Sequence, residues 1–191
     1  SGAMYWVEEN ALLIADLHVG KATHFRNNGI PLPTDFLLKD LNQIESLMVE
    51  RNTEKVYFLG DLFHSFSNIE HQLLENWMNE QNVRFVLIEG NHDRYSKAPD
   101  RCAVYQELEL NNIVLKHEPP QEDVISIFGH LHPGIKIKGK GRMYTSLPAF
   151  YVNNKFIAMP AFGSLKGSRM YSEWIKDSRI YALTPEMLIA L

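Results

Sequence analysis

Five short apolar stretches of this sequence are each followed within three residues by aspartate, asparagine or histidine. Strand-favouring runs of this kind predict buried strands, and a polar residue that follows one lies at the sheet edge, where α/β folds keep their chemistry. The polar residues at the five ends are Asp16, His18, Asp61, Asn91, His117, His130 and His132. Turn chemistry explains each motif taken singly, but five in one chain indicate one shared site.

These seven side chains combine carboxylate, imidazole and amide groups and include no thiolate. Such a set suits Mn, Fe, Zn or Ni better than it suits a structural zinc site built on cysteine. Seven ligands exceed what one four-coordinate ion needs, so they predict two metal ions with Asp61 as the shared carboxylate. Two ions about 3.5–4 Å apart activate water and hold both oxygens of a phosphoryl displacement. The expected reaction is in-line attack of a metal-bound hydroxide on a phosphate ester.

The elements that must position these residues follow the order β-β-α-β-α-β in the first half of the chain, which indicates an α/β fold. The predicted strands are 5–7, 11–14, 56–59 and 83–88, and the predicted helices are 21–28, 34–50 and 69–79. Asp16 and His18 are expected on one face of the second strand, because residues two apart on a strand share a face. His24 and Arg26 of the first helix could reach a ligand, but a solvated helix face is favoured for them; His71 has no motif around it, and both His24 and His71 are assigned structural roles.

The remainder of the chain predicts a second, largely antiparallel sheet, because short apolar runs alternate with Gly, Pro or Asn. The predicted strands are 104–110, 113–115, 124–128, 135–137, 143–145, 150–152, 156–159 and 180–183, with a short helix or loop at 172–176. Together the two halves predict a single domain, residues 4–191, of two packed mixed sheets with flanking helices. Residues 1–3, ahead of Met4, are expected to be a cloning remnant.

Composition limits the class of protein. The 191 residues include one cysteine, Cys102, and carry a formal net charge of −4. An intrachain disulfide is therefore impossible, which suits a reducing compartment, and no global basic field indicates nucleic-acid binding. No apolar run approaches the ~20 residues of a membrane-spanning helix, so we expect a cytoplasmic protein without a membrane partner.

The motifs resemble those of the calcineurin-like metallophosphoesterase superfamily and occur in the same order over about residues 11 to 135. They are Asp16-Leu-His18, Gly60-Asp61-Leu-Phe-His64, Gly90-Asn91-His92-Asp93, His117 and Gly129-His130-Leu-His132. The stretches 13–26, 29–33, 60–65, 117–119 and 129–133 are similar to a narrower family, the bacterial ligase-associated DNA-damage-response phosphoesterases. That family is encoded beside an ATP-dependent DNA ligase and a helicase, and its members are regarded as nucleases.

The resemblance implies a four-layer α/β/β/α sandwich and two metal ions, with Mn favoured. It implies that Asp16, His18, Asp61 and His132 bind one ion, and that Asp61, Asn91, His117 and His130 bind the other. It further implies three catalytic residues. His92 stabilises the phosphoryl oxygens or protonates the leaving oxygen, His64 occupies the position of a second active-site histidine in the nuclease branch, and Asp93 orients the His92 loop.

The function expected from the residues and the resemblance is a metal-dependent phosphodiesterase, a nuclease acting on DNA or nucleotides in DNA repair, with the ligase and helicase as partners. Two alternatives stay open: a phosphomonoesterase acting on a small metabolite, and a metal-free scaffold. An exposed basic hairpin that contains Lys136, Lys138, Lys140 and Arg142 is the expected DNA-backbone contact. The basic side chains near the motifs, Lys21, Arg26, Arg94, Lys97 and Arg101, are further candidates.

Overall fold

The first of two β-sheets carries the first half of the chain. The computed structural model describes residues 2–64, 69–121, 124–139, 141 and 143–191. The strands of this sheet are β1 (Met4–Trp6), β2 (Ala11–Ile14), β3 (Lys55–Leu59), β4 (Arg84–Ile88) and β5 (Cys102–Tyr105), in the order β1-β2-β3-β4-β5. β1 pairs antiparallel with β2, and the other pairings are parallel. The carboxyl ends of β2, β3 and β4 therefore lie along one edge of the sheet.

Two amphipathic helices cover the outer face of this sheet. The helices of the first half are α1 (Lys21–Asn27), α2 (Phe36–Arg51) and α3 (Ile69–Glu80), and a short 3-10 helix follows at Asp93–Tyr95. Ile44 of α2 and Leu74 of α3 are fully buried against Phe58 and Phe85 of the sheet. Apolar residues spaced three and four apart produce these buried helical faces, which explains why the sequence predicted α2 and α3 closely.

The second sheet contains the rest of the strands. They are β6 (Leu108–Leu110), β7 (Ile113–Lys116), β8 (Ser126–Phe128), β9 (Gly134–Lys138), β10 (Tyr144–Val152), β11 (Phe156–Ala158), β12 (Arg179–Leu183) and β13 (Leu188–Ala190). Their order is β13-β12-β10-β11-β8-β7-β6, and β9 pairs with β10. The sheet is mixed, because β8 pairs in parallel with both β7 and β11.

Apolar side chains between the sheets join the two halves of the chain. Tyr57 and Val86 from the first sheet and Leu115 and Ile127 from the second lie in one buried cluster. On the far side of the second sheet, α4 (Ser172–Ile175) packs Trp174 against Phe128 and its neighbours. The resulting layers are α2 with α3, the first sheet, the second sheet, and α4. The four-layer α/β/β/α architecture of two packed mixed sheets is thus confirmed.

The structure differs from the sequence prediction at three places in the second half. The predicted strand 104–110 is divided between the two sheets, because β5 pairs with β4 whereas β6 pairs with β7. The predicted strands 143–145 and 150–152 form one strand, β10, which continues through Pro148 at the end of its pairing with β9. Strand β13 was not predicted.

Candidate metal centre

The chain leaves β2 in a strained turn that brings Asp16 and His18 to the sheet edge. β2 ends at Ile14, and both Asp16 and His18 have φ of 54°. The expectation that they share a strand face is therefore wrong. The turn is held against the next motif instead, because Asp16 N donates to Gly60 O at 3.2 Å and His18 N donates to Asp61 O at 3.0 Å. Backbone hydrogen bonds between the two loops thus fix the positions of Asp16 and His18.

Asp16, His18 and His132 form what we call the first ligand group. Their candidate ligand atoms all lie within 4.8 Å of one another. His18 Nε2 lies 3.3 Å from His132 Nε2, which in turn lies 3.4 Å from Asp16 Oδ1. Asp16 is fully buried, and a buried carboxylate needs a hydrogen-bond donor or a cation nearby.

Asp61, His117 and His130 form the second ligand group, whose atoms also lie within 4.8 Å of one another. His117 Nδ1 lies 3.0 Å from Leu59 O, and a carbonyl oxygen only accepts hydrogen bonds. The proton therefore resides on Nδ1, and Nε2 presents a lone pair. That Nε2 lies 3.0 Å from His130 Nδ1 and 3.4 Å from Asp61 Oδ1.

The two groups adjoin one another through the loop that follows β8. His130 belongs to the second group by its side chain, whereas its backbone N donates to Asp16 Oδ2 at 2.9 Å in the first group. Asn91 lies between Gly90 and His92, and the backbone of both neighbours approaches Asp61. The His92 backbone N donates to Asp61 Oδ1 at 3.0 Å, and a Cβ placed on Gly90 would lie 2.5 Å from that oxygen. Six of the seven predicted ligands thus lie in the two ligand groups, and the backbone neighbours of Asn91, the seventh, approach Asp61.

The backbone at these residues is conformationally unusual. Among the described residues, nine that are not glycine have positive φ; five of them are candidate ligands and the other four are asparagines. The five are Asp16, His18, Asp61, His130 and His132. A non-glycine residue in this region costs about 1–3 kcal/mol and persists only where the surrounding structure enforces it, which is common at functional sites.

Gly60 shows why the turn after β3 has no side chain. Its φ is +77°, and a Cβ at this position would lie 2.1 Å from His117 Nδ1. Any side chain here would displace His117 from its hydrogen bond to Leu59 O. Gly60 therefore lets the His117 ring approach the backbone closely, and the next residue, Asp61, lies at the sheet edge.

The chemistry of this donor set fits divalent cations. Two buried carboxylates and four histidines lie together, and ring nitrogens of His18 and His132, and of His117 and His130, lie within hydrogen-bond distance of each other. The buried His18 Nδ1 also has no hydrogen-bond partner among the described residues. Carboxylate and imidazole ligands of this kind suit Mn, Fe, Zn and Ni. Asp16, His18 and His132 would hold one ion, and Asp61, Asn91, His117 and His130 the other.

Comparison with known proteins places this geometry in a family. The sequence profile described as calcineurin-like phosphoesterase matches residues 10–177. The chain belongs to the calcineurin-like phosphoesterase family. Its fold is similar to that of the Pseudomonas putida nuclease MPE, with a TM-score of 0.82 and 29% identity over 100% of this chain and 92% of that chain. Membership identifies the protein as a hydrolase of phosphate esters.

A second relative is the DNA double-strand break repair protein Mre11 of Archaeoglobus fulgidus, which is 30% identical over 112 residues. The match covers 56% of this chain and 24% of that protein, so the chain spans about a quarter of the length of this curated relative. Among the described residues, no helix has the length and apolar character needed to cross a bilayer.

His64 and His92, the further catalytic candidates of this calcineurin-like phosphoesterase, lie beside the first ligand group. Their rings stack with centroids 5.3 Å apart, and the ring of His18 meets both edge-on. His92 is exposed and His64 is half-buried. Burial, reinforced by the positive charge of Lys21, lowers the pKa of His64 to about 4 and that of His18 to about 2, so in the protein alone both rings are neutral at pH 7.

Asp93, the third catalytic candidate, joins two loops. Its Oδ1 accepts from Phe63 N at 3.0 Å and its Oδ2 accepts from Gly90 N at 2.8 Å, and the side chain is buried. Burial raises its pKa to about 6, against the opposing effect of these two hydrogen bonds. Asp93 therefore holds the loops that carry His64 and His92, which makes it a positioning residue.

Sequence reasoning missed Glu70, which holds α1 beside the site. Glu70 Oε2 accepts from Gly20 N at 2.9 Å, and Oε1 accepts from Thr23 N at 3.1 Å and from Arg26 Nη2 at 3.1 Å. A glutamate near the start of a helix looks like ordinary compensation of the helix dipole, so no local pattern revealed this role. The contact also explains Arg26, one of the basic candidates.

Two of the other basic candidates near the motifs have intramolecular partners. Lys97 pairs with Asp100 at 2.7 Å, and Arg101 donates to the backbone carbonyls of Asn79 and Val83. Lys21 is half-buried, and its burial lowers its pKa against the opposing effect of Asp16 and Asp61. Lys21 is therefore the basic candidate that faces the two ligand groups.

Proposed function

We propose that this protein is a dinuclear metal-dependent phosphodiesterase, a nuclease that acts on DNA. The observation that carries the proposal is the pair of adjoining ligand groups, each built from a buried aspartate and two histidines. One such group would support a mononuclear site. Two groups that share the loop at His130 support a pair of ions, with Asp61 as the bridging carboxylate.

When bound, the two ions supply a nucleophilic water at neutral pH and neutralise charge on the phosphoryl group. The residues of the chain position the substrate around them. His92, fixed through its backbone N to Asp61, presents its exposed ring to the phosphoryl oxygens and donates a hydrogen bond or a proton to the leaving oxygen. His64 stacks on His92 and assists it, and Asp93 keeps both loops in place.

The choice of a diester as substrate is supported by the relatives. The Pseudomonas putida protein is named a nuclease, and the Archaeoglobus fulgidus protein is named a DNA double-strand break repair protein. The second histidine at position 64 gives a diester an additional group at the leaving oxygen. DNA repair, association with a DNA ligase and a helicase, and a cytoplasmic location remain predictions from the sequence.

A hairpin that extends from the first ligand group is the proposed contact with the DNA backbone. β9 begins two residues after His132, and its Lys136 and Lys138 are exposed. They lie opposite Ser146 and the exposed Tyr144 of β10, so the four share one face of the ribbon. Two lysines beside an exposed tyrosine suit phosphates and a stacked base. Lys140 and Arg142 of the predicted hairpin lie outside the described residues.

Hydrolysis of bis-(p-nitrophenyl) phosphate in the presence of Mn(II) tests the proposal. We expect turnover that a chelator removes and that Mn(II) restores. Absence of turnover above background, in protein shown to contain the metal, would overturn it. A metal content below one ion per chain after dialysis against Mn(II) would favour the scaffold alternative.

Hydrolysis of a monoester is the second candidate, because a two-metal site serves both ester classes. Turnover of p-nitrophenyl phosphate and of bis-(p-nitrophenyl) phosphate separates the two candidates. A higher kcat/KM for the diester supports the nuclease, and a higher value for the monoester favours a phosphatase acting on a small metabolite.

A further inference from the structure

A row of imidazole rings leads outward from the first ligand group. The ring of His18 meets that of His64 edge-on, with centroids 5.4 Å apart. The ring of His64 in turn meets that of His24 edge-on, with centroids 5.5 Å apart. His92 stacks on His64 from another side. His24, which was assigned a structural role from the sequence, therefore lies two rings away from the candidate ligand His18.

The ring of His24 is exposed, and its nitrogens have no hydrogen-bond partner among the described residues. Among the described residues, its ring contacts the rings of His64 and of Phe25 on the same helix. An exposed histidine with free nitrogens contributes little to folding, and histidine is a modest helix former. These properties fit a donor that is available to a ligand.

The helix that carries His24 is held unusually firmly for its length. α1 begins at Lys21 after Gly20, whose φ is 91°, and no local side chain caps it. Its cap comes from Glu70 of α3, a buried carboxylate that accepts from Gly20 N, Thr23 N, Thr23 Oγ1 and Arg26 Nη2. Glu70 thereby fixes the position of His24 relative to His64. A seven-residue helix would otherwise be marginal.

We propose that His24, whose ring packs against His64, forms a subsite for the phosphate that flanks the scissile phosphodiester, with Glu70 as the residue that positions α1 for this purpose. This inference rests on the proposed phosphodiesterase function and deepens it. The ligand class is a polynucleotide rather than an isolated diester. His24 donates a ring N–H to a nonbridging oxygen of the neighbouring phosphate, while the scissile group lies at the ligand groups.

The test compares substrates with the same scissile bond and different neighbours. The dinucleotide TpT has no flanking phosphate, whereas the same dinucleotide phosphorylated at either end has one. Cleavage of the internal bond in Mn(II) is followed by mass spectrometry. For the wild type we expect kcat/KM to be about tenfold higher for one of the phosphorylated forms, the value of one hydrogen bond to a charged group.

The variants His24→Ala and His24→Phe should lose this preference, so that the two rates become equal within about twofold. The Phe variant keeps a ring against His64 and removes only the nitrogens, so it separates packing from hydrogen bonding. Asn27→Ala, an exposed change on the same helix outside the imidazole row, is the matched control and should keep the preference. Glu70→Gln should reduce the preference, and adding it to His24→Ala should lower the preference no further.

Two results overturn the subsite: a wild type without any preference, or a His24→Phe variant that keeps it. In either case TpT is still cleaved and the phosphodiesterase assignment stands. If the wild type in Mn(II) cleaves neither the dinucleotides nor bis-(p-nitrophenyl) phosphate, the phosphodiesterase assignment fails, and the subsite fails with it.

Discussion

The two ligand groups use the same residue types but differ in how the protein holds them. In the second group, the His117 side chain is 3% exposed, and its Nδ1 donates to Leu59 O. In the first group, the His132 side chain is 22% exposed, and His18 Nδ1 has no partner among the described residues. The Leu59 carbonyl thus orients the His117 ring in the second group, whereas the Nδ1 atom of His18 in the first group has no such partner among the described residues.

This difference has consequences for binding. A ligand whose other ring nitrogen is hydrogen-bonded is already in the right tautomer and orientation, which commonly changes metal affinity 10–100-fold. We therefore expect the second group to bind its ion more tightly and the first group to exchange its ion with solvent more readily. The first group also adjoins His64, His92 and the β9–β10 hairpin, where substrate is proposed to enter.

Asp61→Asn is expected to have the largest effect, because Asp61 is the proposed carboxylate common to both ions. Asparagine accepts the φ of 48° at this position, so the backbone should be unchanged. Turnover of bis-(p-nitrophenyl) phosphate should fall about 10³-fold, and the metal content should fall below that of any other single variant. Retention of two ions with full turnover would remove the bridging role.

A matched pair, His117→Asn and His132→Asn, tests the difference between the groups directly. Each removes one imidazole, and each should lower turnover about 100-fold. Only His117→Asn disturbs the buried carbonyl of Leu59, so in metal-free protein it should destabilise by about 1–3 kcal/mol, whereas His132→Asn should be nearly neutral. Denaturant unfolding in chelator measures this. Equal destabilisation by the two variants would contradict the asymmetry.

Titration with Mn(II) compares the metal affinities of the two ligand groups, for which we expect a smaller difference. The wild type should show two binding events of different affinity, and His132→Asn should keep the tighter one. Saturation also stabilises the fold by mass action, by about 2.7 kcal/mol at a metal concentration 100 times Kd. Loss of the tighter event in His132→Asn would reverse the assignment of the two groups.

The double variant Lys136→Ala/Lys138→Ala should have the smallest effect, because both lysines are exposed and lie beyond the ligands. DNA affinity should fall several-fold. The slope of log K against log[salt] should become less steep by the contribution of about two phosphate contacts. The metal content should be that of the wild type. Thr145→Ala, an exposed change on the opposite face of the paired strand, is the control. An unchanged salt dependence would exclude this face of the hairpin from DNA binding.

Much of this architecture was accessible from the sequence because its elements are locally encoded. The apolar runs before Asp61 and Asn91 become β3 and β4, and the stripes of α2 and α3 fix those helices within a few residues. The division of 104–110 was not accessible, since β5 and β6 look like one strand and separate only by pairing with different sheets.

The site followed the same pattern. All seven ligand candidates were recognisable from residue type and position after apolar runs. The left-handed backbone at His18 and His132 was not, because loop-to-loop hydrogen bonds impose it. His24 and Glu70 were missed for a related reason: their roles depend on contacts to His64 and Gly20, which are 40 and 50 residues away along the chain.

Anomalous diffraction from crystals grown with Mn(II) tests the central claim most directly. We predict two anomalous peaks about 3.5–4 Å apart, one enclosed by Asp16, His18 and His132 and the other by Asn91, His117 and His130, with Asp61 between them. A single peak, or two peaks away from Asp61, would contradict a dinuclear centre at this edge of the sheets.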